Sequence, residues 1–406
     1  MNTRVIFALF LLVVSSSLVG ASTNDAVRSV QQGLFEEEAN HQLEAAIRNY
    51  QEALENVTSN RQVVATAIFR LGECYRKEGK TAQAQAQYQR ILREFKDQTE
   101  LALLSRQLVG NQMHPPPTYI LSFGNSNSDP ADNLHFPGGV AVDAAGNVYV
   151  SDTHNNRIQK FTSRGAYLSK WGTRGTNAGC FDYPQGLATD NSGNVYVADT
   201  HNNRVQKFTA TGAFLNQWGE LGSGVGEFDS PYSVAVDSAG NVYVADAHND
   251  RIQKFNSNGA YLSEFGSTGA EAGQLDQPKS VAIDLGGNIY VADTGNKRIQ
   301  QFSADGVYIR QWGSYGRLPG QFDLPHDLAV DRWGNVYVAD ADGNSHNNRV
   351  QLFASDGTIL SQWGSLGSGP GQFNFAARVA VDRTGLKIYV CDASNDRVQL
   401  FGYSGE

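Results

Sequence analysis

The chain has 406 residues, 18% charged and 40% hydrophobic, with a formal charge of −9 from 32 basic and 41 acidic residues. That length leaves room for more than one domain, and the acidity argues against a broad phosphate-binding surface for nucleic acid. Three cysteines, Cys74, Cys180 and Cys391, lie far apart with no CxxC pair, which excludes a disulfide framework and a zinc module.

The first segment, MNTRVIFALFLLVVSSSLVGA, has one early basic residue, Arg4, an apolar run Val5–Val14, and small residues at Val19 and Ala21. Residues 1–21 therefore read as a secretory signal, too short to span a bilayer comfortably, with no lipid-accepting cysteine behind it. No second long apolar run follows. The mature chain is expected to be exported, periplasmic or extracellular, without a transmembrane segment.

Residues 22–110 shift to Ala, Gln, Glu, Leu and Arg and contain no proline, which predicts a small all-α domain. Leu71, Gly72, Tyr75, Ala84 and Tyr88 stand at the spacings of a tetratricopeptide repeat, which this stretch resembles. An upstream copy keeps Ala46, Tyr50 and Ala53 in its second helix, but its first helix lacks the Leu-Gly pair. Leu101–Val109 reads as a closing helix. Two repeats and one helix are fewer than the roughly three repeats a solenoid needs, so this part is expected to lean on the rest of the chain, on a partner or on a second copy of itself. The resemblance implies protein–protein contact; a plain helical cap or spacer is the blander reading. Residues 111–117, NQMHPPP, form a stiff boundary because consecutive prolines favour the extended form.

From Val140 to Phe401 one pattern is written six times. Its leading aspartates are Asp143, Asp190, Asp237, Asp284 and Asp331, a constant step of 47 residues, and Asp382 follows after 51. A complete copy holds four short runs rich in β-branched and aromatic residues, divided by Gly and Asn turns, as in VAVD, NVYV, RIQKF and AYLSKW. Gly146 and its counterparts sit where a tight hairpin needs positive φ, with the Asp able to cap the turn. A second aspartate precedes an arginine in every copy, from Asp152 and Arg157 to Asp392 and Arg397, and reads as a scaffold pair. Trp171, Trp218, Phe265, Trp312 and Trp363 supply bulk where adjacent units diverge. From Pro115 onward there are 20 basic and 29 acidic residues, so the repeats carry the whole net charge, largely as scaffold.

Strings such as GNVYVADTHNNRVQKF and GNIYVADTGNKRIQQF resemble NHL repeats, and the resemblance covers Tyr119 to Phe401. It implies an all-β six-bladed propeller over residues 118–406. Copy six stops at Phe401 without a fourth strand. The segment YILSFG, residues 119–124, matches YLSKWG in copy one, which predicts that the ring closes by pairing both chain ends in one blade.

In such a propeller the lead-ins to the inner strands bracket the central opening and share a face with the DTHNNR connectors. These lead-ins vary: Gly138-Gly139, Gln185-Gly186, Tyr232-Ser233, Lys279-Ser280, His326-Asp327 and Ala377-Arg378. Gln185, Tyr232, Lys279, His326, Asp327 and Arg378 form the candidate binding rim, with ordinary solvated loop residues as the blander reading. Copy five adds DGNS (Asp342–Ser345) on the same face, and because insertions in repeat proteins often map to the binding face, Asp342 and the adjoining His346 join the rim. The HNN histidines, His154, His201, His248 and His346, recur as repeat furniture. Equivalent loops of a sixfold ring stand too far apart for a metal, whose nitrogens must lie within about 2.1 Å. No metal and no cofactor are expected.

Propeller enzymes that resemble NHL proteins, such as the amidating lyase, place three histidines around a zinc, whereas here only His326 occupies an inner lead-in. The chain has no GxSxG, HExxH or P-loop motif. The reading is an exported, non-catalytic binding or scaffold protein that meets a protein partner or extracellular ligand through this face and its helices, with no nucleic-acid partner. The alternative is a secreted lyase or hydrolase using Lys279, His326, Asp327 and Arg378 at the central mouth. Convergence of those four in one pocket, with His326 bonded to a carboxylate, would favour the enzyme. A structural surface-layer component is the third possibility.

Overall fold

Each DxxGN run closes a hairpin by the same local chemistry. Asp143 Oδ1 accepts the amides of Ala145 and Asn147 at 2.9 and 2.8 Å, while its Oδ2 accepts Asn147 Nδ2 at 2.8 Å and the Tyr149 hydroxyl at 3.0 Å. Gly146 takes φ +83°, a left-handed conformation that costs glycine nothing. Asp190, Asp237 and Asp284 repeat all four contacts in the next three copies.

The computed structural model describes residues 21–40, 42–55, 60–95, 97–98, 101–102, 105, 116–124, 133–341 and 347–403. The chain divides into two units, Met1–Gln112 and Met113–Glu406. The segment read as a secretory signal lies, apart from Ala21, outside the described residues, as do residues 111–115 of the boundary.

The first unit holds, among the described residues, four helices: α1 (Ala21–Glu38), α2 (Leu43–Glu55), α3 (Arg61–Lys77) and α4 (Thr81–Glu94). Asn60 starts α3 by accepting the amides of Gln62 and Val63, which satisfies two donors left over at a helix start. Consecutive helices pack as hairpins. Gly72 allows α3 and α4 to close, because a Cβ there would lie 2.7 Å from the Tyr88 ring. Gly33 does the same for α1 and α2, where a Cβ would lie 2.6 Å from Tyr50. The upstream hairpin thus has its glycine, preceded by Gln32 in place of leucine. Both tyrosine hydroxyls donate to buried carboxylates, Tyr50 to Glu37 at 2.8 Å and Tyr88 to Glu73 at 2.6 Å. Leu101 and Ala102 are helical and Leu101 is buried, while most of Leu101–Val109 lies outside the described residues. No helix among the described residues is long and apolar enough to cross a membrane.

The second unit is a six-bladed β-propeller of four-stranded antiparallel sheets. Strand β1 (Thr118–Phe123) comes first in the chain and belongs to the last blade. Blade one is β2 (Pro137–Val142), β3 (Val148–Asp152), β4 (Arg157–Phe161) and β5 (Tyr167–Trp171). The inner strands of blades two to five are β6 (Pro184–Thr189), β10 (Pro231–Val236), β14 (Pro278–Ile283) and β18 (Pro325–Val330). Blade six is β22 (Ala376–Val381), β23 (Lys387–Asp392), β24 (Arg397–Gly402) and then β1, with Thr118 opposite Gly402 and Phe123 opposite Val398. The inner strands contact one another in sequence, and β22 returns to β2. Each blade keeps one inner and one outer edge strand, short and held in the ring.

Blades join through an aromatic contact that repeats at all six junctions. The outer-strand aromatic of one blade meets the third-strand Phe of the next: Phe123–Phe161 at 5.0 Å, Trp171–Phe208 at 6.0 Å, Trp218–Phe255 at 5.9 Å, Phe265–Phe302 at 4.7 Å, Trp312–Phe353 at 6.0 Å and Trp363–Phe401 at 5.9 Å. Each second aspartate anchors the connector behind it. Asp199 Oδ2 accepts Arg204 Nε at 2.8 Å, Gln206 Nε2 at 2.9 Å and Asn202 Nδ2 at 3.0 Å, and its Oδ1 accepts the Asp182 amide at 2.8 Å. Arg204 then reaches the carbonyls of Thr176, Asn177 and Cys180 in the preceding interblade loop. Cys391 is buried in the second strand of blade six, where the other blades carry Ser or Ala.

Candidate functional site

The six inner lead-ins meet on the propeller axis, and one side chain crosses it. Arg378 enters from blade six and is only 2% exposed. Its Nε donates to the Gly138 carbonyl of blade one at 2.8 Å and its Nη2 to the Tyr232 carbonyl of blade three at 2.8 Å. Its Nη1 donates to Asp327 Oδ1 of blade five at 2.9 Å and lies 3.4 Å from the Lys279 carbonyl of blade four. Blade three stands diametrically opposite blade six, so this guanidinium is a bolt through the ring. A planar fork with five donors can tie several acceptors at once.

Asp327 is its counter-ion and accepts two further donors. Oδ1 also accepts Ser280 Oγ at 2.7 Å, and Oδ2 accepts the Val379 amide at 2.9 Å. Arg378 and Asp327 are therefore internal struts, not an open rim. The glycines that leave the rim bare on the other side also have a structural cause. A Cβ on Gly139 would strike the Gln185 carbonyl oxygen, and one on Gly186 would lie 2.6 Å from Ser233 Cα. Inner strands crowd there, and glycine is what lets them approach.

Above the bolt lie Tyr232, Lys279 and His326. The Tyr232 ring carries two cations, the Arg378 guanidinium at 5.0 Å and the Lys279 ammonium at 5.2 Å. Burial and the neighbouring Arg378 and Lys297 charges lower the Lys279 pKa to about 8. His326 is 2% exposed, and its Nδ1 lies 3.0 Å from the Ala377 carbonyl. A carbonyl only accepts, so Nδ1 carries the proton and Nε2 faces the Tyr232 hydroxyl at 3.4 Å. Burial, with Lys279 and Arg378 nearby, holds the imidazole well below its usual range, so it is neutral. Gln185 is buried, and its amide oxygen covers Gly138. Asp342 and His346 lie outside the described residues.

Two histidines of the HNN loops stack outward from this centre. His154 lies 4.6 Å from Phe136 at 8° between planes, and His201 lies 4.5 Å from Tyr183 at 7°. His248 instead bonds Asp229 at 3.1 Å. Among the described residues, no group of three His, Cys, Asp or Glu side chains stands close enough to hold a metal ion.

Phe136, Tyr183 and Phe375 are site residues that the comparison of lead-ins passes over, because they precede the proline position. They adopt φ 52°, 58° and 68°, held by amide bonds of 2.8 Å to Asp396, Asn156 and Asn348 of the preceding blade. The same position reads Ser230, Gln277 and Leu324 in blades three to five. That unevenness was readable in the sequence. Phe375 meets Phe136 at 5.8 Å and His326 at 5.1 Å, while Tyr183 meets His154 at 5.5 Å, so an aromatic arc runs over blades five, six, one and two.

Behind the bolt the axis opens into a cavity of about 300 Å³, lined by the six inner strands, with Ser233, Ser280 and Asp327 toward the bolt. Toward the other end, Arg383 donates to Asn191 Oδ1 at 2.6 Å, reaching from blade six to blade two.

The NHL repeat matches at residues 134–161, 181–208, 228–255, 275–302 and 322–353. No curated protein matches the chain. Among solved structures, a gluconolactonase from Xanthomonas campestris is 16% identical with a TM-score of 0.51, over 72% of this chain and 96% of its own. A protein of unknown function from Bacteroides thetaiotaomicron is 19% identical with a TM-score of 0.51, over 69% and 73%. Virginiamycin B lyase from Staphylococcus aureus is 14% identical with a TM-score of 0.45, over 65% and 79%. At these identities the likeness is one of fold.

Proposed function

We propose that this chain, an NHL-repeat six-bladed β-propeller with an N-terminal helical unit, is an exported, non-catalytic binding protein that works through the lead-in face of the propeller. One observation carries the reading. Two charged groups at the centre of that face are fixed by their bonds, Asp327 accepting three donors and Arg378 reaching four other blades. Such a centre is rigid and pre-organised, which suits recognition. The four residues that an enzyme would use do converge, yet His326 bonds a backbone carbonyl, not a carboxylate. A general base serves best with a pKa near the working pH, and His326 is held far below it.

The helical hairpins built on Gly33–Tyr50 and Gly72–Tyr88 support a second surface, tetratricopeptide-like in kind, for a protein partner or another copy of the chain. The basic-then-apolar amino terminus supports export. The test is retention from an envelope extract on immobilised full-length protein, beside a variant carrying Gln185→Ala, Tyr232→Phe and Lys279→Met. The expected result is a stoichiometric component kept by the wild type, lost by the variant, and released chemically intact. Release of a cleaved or rearranged product would instead establish a lyase or hydrolase.

A further inference from the structure

We propose that the axis of the lead-in face binds an aryl carboxylate with a short spacer, its acid against Lys279 and its ring against the Phe375–Phe136 pair. The inference rests on the reading that this face binds ligands, and it names the ligand chemistry.

Charge sets the acid. The half-buried Lys279 ammonium makes no hydrogen bond and no ion pair among the described residues; it has only the Tyr232 ring at 5.2 Å. The second cation on that ring, Arg378, has a carboxylate, but Asp327 already accepts three donors. Two cations therefore stand at a partly desolvated centre where the one carboxylate is bonded to Arg378 and not to Lys279. An unmatched half-buried charge is costly, and a monoanion placed beside Lys279 removes that cost. The field is local, since the protein as a whole carries −9.

Shape sets the ring. From Tyr232 the surface continues to His326 at 5.4 Å between ring centroids, then to Phe375 at 5.1 Å. Phe375 and Phe136 lie 5.8 Å apart at 24° between planes, and both are half-buried, so each keeps open area. One cation-to-ring step and two ring-to-ring steps thus link the ammonium to the aromatic pair. A carboxylate beside Lys279 that carries a ring on two or three methylenes lays that ring along this aromatic path toward Phe375, and offset stacking on such rings adds affinity beyond area burial. Inorganic phosphate or acetate reaches only the charged end.

Calorimetric titration of the full chain at pH 7 with 3-phenylpropionate, 3-phenylpropanol and acetate tests this. The acid is expected to bind one saturable site, with the alcohol and acetate at least tenfold weaker. Lys279→Met and Phe375→Ala should each weaken the acid at least tenfold, and Phe136→Leu serves if Phe375→Ala fails to fold. Lys279→Met should melt no lower than wild type, so its loss of binding is not unfolding. Equal affinity for acid and alcohol, indifference to Lys279→Met, or no saturable heat at millimolar ligand would each overturn the inference. The binding function stands separately: a component retained from extract through this face without any response to 3-phenylpropionate sinks the ligand class alone. Chemical turnover of that component removes the non-catalytic reading even where the heats are as expected.

Discussion

Arg378 shows how far one side chain can matter when acceptors from four other blades surround it. Arg378→Met leaves Asp327 as a buried charge without its counter-ion, which typically costs about 3–5 kcal/mol. In urea unfolding the variant should lose stability of that order. Arg378→Met with Asp327→Leu should recover much of it, because buried pairs replaced by apolar residues are often neutral. Additive losses in the double variant would show that the two do not act as a pair. Lys279 has the opposite character. Its folded pKa of about 8 lies below the unfolded value of about 10.4. Between those values the unfolded chain binds more protons, so stability rises with pH across that window. The melting temperature of wild type relative to Lys279→Met should therefore climb between about pH 8 and pH 10. Parallel curves would mean that this lysine is not held against its charge.

At the scale of elements, the repeated parts are self-sufficient and the closing strand is not. Hairpin caps such as Asp143 and connector anchors such as Asp199 bond within a blade or to the loop beside it, so each copy carries its own instructions. Strand β1 supplies the outer edge of blade six and, through Phe123, the aromatic contact to blade one. Deleting residues 119–124 removes that contact together with Tyr119–Phe401. The ring should then unfold over a broadened denaturant range with a lower m-value; a single transition with unchanged slope would deny β1 its role in cooperativity. In the helical unit, Gly72→Val brings a side chain into the Tyr88 ring. Overpacking of this kind costs about 1–3 kcal/mol, visible as an earlier loss of helical circular dichroism.

For the whole molecule, the helical unit has its own core of buried residues between Ala26 and Leu101, while the blades bury six further clusters between Phe123 and Phe401. Ile68→Ala, in the first core, should cost about 2–5 kcal/mol. Calorimetry should show that loss in one transition and leave the propeller transition in place. A shift of both together would mean that the two units unfold as one. By itself the sequence determined the period, the four strands of each blade, the turn caps, the Asp–Arg anchors and the bulky outer-strand aromatics. These rest on contacts within one copy or at a junction that recurs, so they are written several times. The variable lead-ins were legible as a set, but not their roles. Only the tertiary structure decided that Arg378 and Asp327 are struts, that Gly139 and Gly186 serve strand crowding, and that Phe136, Tyr183 and Phe375 form an arc. Arg378 bonds residues 51 to 240 positions away, and such partners become neighbours only when ring closure brings six inner strands to one axis.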